Sequence, residues 1–327
     1  MAKTTRRDFL AGAAATPLLA CPAIAQSAFP SRPIRIVIGF PPGGGIDILA
    51  RLMAPKMAER LGQPVLVENR PGANGQIATQ GVAQADADGH TILFGTTGNL
   101  AVNPVLHAGR PGMNMSIDFT PLSHVASLDF VLVVNPSLPV KSLENLINLA
   151  KAKPGEILFG SSGNGGLPHL SGELLNLQAG IRTRHVPYRG SAPAFTDLIS
   201  GQVQYVFDAL AIAQPHIESG TLRPIATTGP KRMAALPKVP TAKETLSNFE
   251  VVNWYAISMR AGTPPDIVAR LHQEVVFALK HPDVADRSAA LGLDLIGSTP
   301  AEFGKFQQQE IAKWSGVINA ANIKVEQ

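Results

Sequence analysis

Cysteine is nearly absent from this 327-residue chain: Cys21 stands alone. It falls inside an N-terminal segment built like a removable leader, so the remainder carries no thiol. That excludes disulfides, a thiolate nucleophile and a Cys-ligated metal. Long apolar runs are missing as well. No stretch beyond the leader approaches the roughly 18 residues that would span a bilayer. Basic runs are missing too: the leader holds Lys3, Arg6, Arg7 and Asp8, so the +4 of the whole chain falls to +2 beyond it. No aromatic residues interleave with a basic patch, and nucleic acid is not expected as a partner. The histidines (His90, His107, His124, His169, His185, His216, His272 and His281) are never spaced three or four apart, so no metal site is implied. Gly43-Gly44-Gly45-Ile46-Asp47-Ile48 lacks the third glycine of a dinucleotide fingerprint, and no loop ends in the Gly-Lys-Ser/Thr that cradles triphosphate. Gly160-Ser161-Ser162-Gly163 lacks the glycine at Asn164 that a hydrolase nucleophile elbow requires. No cofactor and no enzymatic activity are therefore expected.

What is present begins with the leader. Thr5-Arg6-Arg7-Asp8-Phe9-Leu10 resembles a twin-arginine export signal, Ala11 to Ala20 form a short apolar run, and Ala23-Ile24-Ala25 is a peptidase site. Residues 1–25 are thus expected to be a cleaved signal peptide and the protein periplasmic. Leu18-Leu19-Ala20-Cys21 loosely resembles a lipoprotein box, the alternative in which Cys21 would tether the chain to a membrane.

Short apolar runs alternate with helical periodicity, which predicts an α/β chain with parallel sheets. Strands are expected at 34–40, 64–68, 91–94, 157–160, 185–188, 204–208 and 222–227, with longer β-rich segments at 125–135 and 251–259. Helices are expected to start after Gly45, at Ser142, Leu167, Ala194 and Ala211, and two more, about 266–280 and 300–320, close the chain. The length beyond the leader exceeds one compact core, so two domains are expected.

Two strands run into glycine-rich loops that open helices: Ile36 to Phe40 into Pro41-Pro42-Gly43-Gly44-Gly45, and Ile157 to Gly160 into Ser161-Ser162-Gly163-Asn164-Gly165-Gly166. Ligands of open parallel sheets bind outside the carboxyl ends of the strands. Glycine allows close backbone approach there, and a helix N-terminus offers unpaired N–H donors. Two such loops on facing lobes would form an anion-binding cleft without any arginine. Asp47 suits a helix first turn as a dipole-compensating acid, whereas Asp208 ends a buried strand at the ligand edge. His169 suits either a ligand donor or a packing role, and Arg189 suits a loop brace better than a ligand contact.

Several segments together resemble the Bug family of periplasmic binding proteins, the extracytoplasmic receptors of tripartite tricarboxylate transporters. They include Gly39 to Asp47, Leu61 to Gly75, Ala87 to Leu93, Val134-Asn135-Pro136, Val186 to Gly190, Leu236 to Thr241 and Ala261 to Pro264. The resemblance covers the chain beyond the leader, in order. It implies a type II periplasmic binding fold, two α/β lobes joined by two crossover strands, with lobe 1 at 27–126 and 251–327 and lobe 2 at 127–250. The hinge is expected near 127–133 and 251–257. The resemblance further implies a small carboxylate ligand held by backbone amides and water, membrane permease subunits as partners, and a monomer. Carried onto this chain, the ligand-binding set is Phe40, Gly43, Gly44, Gly45, Asp47, Thr96, Thr97, Asn99, Ser161, Ser162, Gly163, Asn164, Gly165, His169, Tyr188, Arg189, Gly190 and Asp208. Asn99-Leu100-Ala101-Val102-Asn103-Pro104 departs from the family pattern, and Gly109 to Met115 resembles an insertion. A receptor that signals to a membrane sensor, and an exported hydrolase, remain as alternatives.

Overall fold

The computed structural model describes residues 29–324; the expected signal peptide, with Cys21 and its twin-arginine motif, lies outside them. The first unit alternates β1 (Ile34–Ile38), α1 (Gly45–Leu61), β2 (Val65–Asn69), α2 (Gln76–Ala83) and β3 (Thr91–Thr96). Ile34, Ile36, Val37 and Ile38 are all buried, as expected for a β-branched strand covered on both faces. β1 pairs in parallel with β2 on one side and β3 on the other. A π-helical turn (Gly98–Val102) and two four-residue helices, α3 (Asn103–Leu106) and α4 (Met115–Asp118), lead into β4 (Phe119–Val134).

The second unit comprises α5 (Leu143–Ala152), β5 (Leu158–Ser161), α6 (Leu167–Ala179), β6 (Arg184–Pro187), α7 (Ser191–Ile199), β7 (Tyr205–Ala209), α8 (Leu210–Glu218) and β8 (Arg223–Thr227). Ser142 caps α5 as its sequence predicts, its hydroxyl accepting from the Asn145 N–H at 3.2 Å. The chain returns through β9 (Val252–Arg260) and closes with α9 (Pro265–Leu279), α10 (Pro282–Ala290), β10 (Asp294–Leu295) and α11 (Pro300–Ala320). Nothing in the hydrophobic period announced α10 and β10. The helix buries only Val284 and Ser288, and a two-residue strand has no period to detect.

The sheets are mixed, not wholly parallel as the sequence suggested. β9 runs antiparallel to β3 and β4, and β4 runs antiparallel to β7 and β8. β4 is the reason: from Phe119 to Asp129 it pairs with β9, and from Phe130 to Val134 with β7 and β8. One strand therefore belongs to two sheets, changing over between Asp129 and Phe130. The chain recrosses beside it, where Val252 pairs with Asp129. Thr228, fully buried, ties both crossings together. Its hydroxyl accepts from the Phe130 N–H at 2.8 Å and donates to the Val251 carbonyl at 2.6 Å. Behind the first sheet, Trp254 and Trp314 are wholly buried, and both indole N–H groups donate to the Glu310 carboxylate at 3.1 Å. Among the described residues no helix is long and apolar enough to cross a membrane.

Candidate ligand-binding site

Where the two sheets meet at β4, a cavity of about 480 Å³ opens. Phe40, Gly43, Gly44, Gly45, Ile46 and Ile48 line it from the first unit, and Ser162, Gly166, Leu167, Pro168, Asp208 and Ala209 from the second. The crossing strands supply its floor. Leu128 and Phe130 on β4, and Asn253 and Tyr255 on β9, are alternate residues that share one face of each strand. Three helix N-termini converge on this space. The N-cap positions of α1, α6 and α8 are Gly44, Gly166 and Ala209, and none has a side-chain cap. Uncapped first-turn N–H groups and the helix dipole favour an anion there. Among the described residues no lysine or arginine lines the cavity.

The first loop is held from behind. Asp47, 2% exposed, accepts from the Gly43 N–H at 2.9 Å, from Arg51 Nε at 3.0 Å and from Asn69 Nδ2 at 2.9 Å. Asn69 Nδ2 also donates to the Phe40 carbonyl at 3.1 Å. Burial pushes the Asp47 pKa up, but the bonds from Arg51, Gly43 and Asn69 together outweigh it and leave the carboxyl below its ordinary 3.8. The structure therefore places Asp47 in the loop's support and not in the cavity. Asp47→Ala should destabilise the protein by about 2 kcal/mol in urea unfolding, because it leaves three donors without an acceptor. A folded-state pKa below the unfolded one means that this advantage is complete above pH 3.8 and is lost as pH falls through the depressed value. Equal stability of the two proteins near neutral pH would contradict this role.

The third-strand residues divide. Thr96 lines the cavity with Gly98, but Thr97 and Asn99 are fully buried and bonded inward. Thr97 Oγ1 accepts from the Trp254 N–H at 2.9 Å, while Asn99 Oδ1 accepts from the Thr96 N–H and its Nδ2 donates to Thr79. The segment is a buried π-helical turn where the sequence suggested a ligand loop, because Asn99 folds back to satisfy the strand end.

In the second loop Ser162 lines the cavity, whereas Ser161, Gly163, Asn164, Gly165 and His169 do not. His169 Nδ1 accepts the Gly165 N–H at 3.0 Å, which fixes it as a loop brace and leaves it no role as a donor through that nitrogen. Its ring stacks on His185 with centroids 3.7 Å apart. Burial lowers His169 to about 4; burial, and then the repulsion that protonating the adjacent His169 would add, lower His185 to about 3, so both are neutral near pH 7. Ser161 Oγ lies 2.6 Å from His185 Nε2, a serine–histidine contact the sequence did not reveal. Ser161 is fully buried and does not line the cavity, so it offers no nucleophile to a bound molecule. Tyr188 donates to Asp197 at 2.7 Å, Asn164 and Arg189 are exposed away from the lining, and Gly190 is the N-cap of α7. Of the eighteen residues carried over, Phe40, Gly43, Gly44, Gly45, Thr96, Ser162 and Asp208 line one cavity. Asn74, Leu128, Phe130, Asn253, Tyr255, Leu291 and Leu293 line it unanticipated. The alternation on β4 and β9 was the signal that could have found four of them.

Two α/β lobes joined by crossover strands, with a cavity at the junction, define a type II periplasmic solute-binding fold. The chain belongs to the tripartite tricarboxylate transporter receptor family, whose model matches residues 49–323. It is 37% identical over 314 residues to protein BugT of Bordetella pertussis, covering 95% of this chain and 96% of that one. A Rhodopseudomonas palustris protein solved with adipate superposes with a TM-score of 0.78 at 35% identity, covering 90% of this chain and 99% of that one. MatC from the same organism, solved with bound malate, superposes with a TM-score of 0.75 at 31% identity, covering 89% and 100%. The periplasmic binding protein BugD gives 0.76 at 29% identity, covering 91% and 100%. These relatives are binding proteins.

Proposed function

We propose that this protein is an extracytoplasmic receptor that captures a small carboxylate between its lobes and delivers it to a membrane permease of the tripartite tricarboxylate type, without chemistry. Lobe 1 would comprise residues 27–126 and 251–327 and lobe 2 residues 127–250, with the leader directing export to the periplasm. The observation that carries this reading is the convergence of uncapped helix N-termini from both sheets on one cavity. An anion bridging α1 and α6 would gain about 0.3–1 kcal/mol from each dipole, beyond its hydrogen bonds. Those contacts exist only when the lobes are together, so ligand shifts the population toward the closed form. The adipate and malate bound by relatives support a carboxylate.

A thermal-shift panel of mono-, di- and tricarboxylates on protein freed of ligand by unfolding and refolding tests this. An acid present at 100 times its Kd should add about 2.7 kcal/mol of stability and raise Tm accordingly. No shift with any carboxylate would overturn the reading.

A further inference from the structure

Resting on the carboxylate reading above, we infer that Tyr255 on β9 is the side-chain part of the anion seat: its phenol donates to the ligand's carboxylate beside the N-terminus of α1. The chain has three tyrosines. Tyr188 donates to Asp197 at 2.7 Å, and the Tyr205 hydroxyl shares a hydrogen bond with Thr183 at 2.8 Å. Tyr255 differs. It is 7% exposed and lines the cavity, and among the described residues no group hydrogen-bonds its hydroxyl. A phenol this deeply buried ordinarily has a partner, because it has given up most of its water. The group that satisfies it is therefore one that the cavity admits.

The fold aims that hydroxyl at the loop that opens α1. Along β9, Asn253 and Tyr255 face the cavity, whereas Trp254 between them turns to Glu310 behind the sheet. The Tyr255 ring packs edge-on against Phe94 of β3, with centroids 6.2 Å apart. An added Cβ on Gly45 would stand 3.0 Å from the hydroxyl oxygen and 3.8 Å from the nearest ring carbons, so the oxygen is the part of the ring that meets the loop. With one further bond to the main chain, that oxygen lies within about 4.5 Å of the Gly45 Cα. Gly45 is the first residue of α1, directly after the uncapped Gly44. One carboxylate can therefore accept from first-turn N–H groups and from the phenol at once, and its charge strengthens both kinds of bond. Burial pushes the Tyr255 pKa up to about 12, so near pH 7 the phenol keeps its proton and acts as a neutral donor. Thr96, which pairs with Tyr255 across the sheet, is no substitute, because its hydroxyl already donates to Asn99 and accepts from the Gly98 N–H.

Tyr255→Phe removes one oxygen and keeps the ring against Phe94. Wild type and variant, freed of ligand by unfolding and refolding, are titrated calorimetrically with hexanoate, phenylacetate, adipate, malate and citrate. Urea unfolding of both proteins without ligand runs alongside. Each acid that binds the wild type should bind the variant at least about tenfold more weakly, the loss of one hydrogen bond to a charged group. Stability without ligand should stay level or rise slightly, since the substitution leaves no protein group unpaired. A merely structural hydroxyl would instead lower stability and spare affinity. A crystal structure of the wild type with the tightest of these acids is the second measure, and should place a carboxylate oxygen within about 3.0 Å of the phenol oxygen. Equal affinities in the two proteins, or a carboxylate seated out of reach of that hydroxyl, overturn the proposal and leave the carboxylate reading standing. No binding of any acid to the wild type overturns both.

Discussion

Gly44→Val should leave the protein folded and remove ligand binding. Gly44 has φ −75° and ψ 162°, an extended conformation open to any residue, and an added Cβ there meets nothing within 4 Å. The fold therefore has room for the side chain, and valine at an N-cap in place of glycine costs up to about 1 kcal/mol. Gly44 is the N-cap of α1 and lines the cavity, so the added side chain takes up space beside that terminus. A carboxylate kept from that terminus loses at least two charge-assisted hydrogen bonds. At about 1.5 kcal/mol each, the loss is a little over a hundredfold in Kd. Calorimetric titration with the best-binding acid measures it, with urea unfolding as the check on stability. Retained affinity in a folded variant would exclude this loop from the site.

The second large effect falls on stability. Gly39→Ala places a Cβ in collision with the Gly75 Cα and 3.0 Å from its carbonyl oxygen. The obstacle is main chain, so no rotamer change relieves it. Gly75 is held in place as well: it sits at φ 84° as the N-cap of α2, and its N–H donates to the Gly72 carbonyl at 2.9 Å. The two glycines let the end of β1 and the start of α2 touch. A loss of about 3 kcal/mol is expected on urea unfolding, within the range for overpacking a site that cannot relax. Wild-type stability in this variant would mean that the contact yields more easily than its geometry implies.

The element order was legible because each strand is short, β-branched and bounded by glycine or proline, as in Ile34 to Ile38 before Gly39-Phe40-Pro41. The first loop was legible for the same reason, since its glycines mark a strand-to-helix passage and line the cavity. What stayed hidden depends on side-chain direction. Asp47, Thr97, Asn99 and His169 all lie within one turn of the cavity, yet their polar atoms satisfy the loops' own donors and acceptors. Sequence position places such residues near a site without saying which way they turn. The floor was hidden for the opposite reason. Leu128, Phe130 and Tyr255 read as ordinary strand residues, and only the passage of β4 from one sheet to the other exposes one face of them to the cleft.

A crystal structure of the protein with the best-binding acid in the cleft tests the main-chain account most directly. Carboxylate oxygens are expected within about 3.2 Å of N–H groups among Gly44, Gly45 and Ile46, with no lysine or arginine in contact. A carboxylate seated on a cationic side chain such as Arg189, or bound away from the α1 terminus, would contradict it.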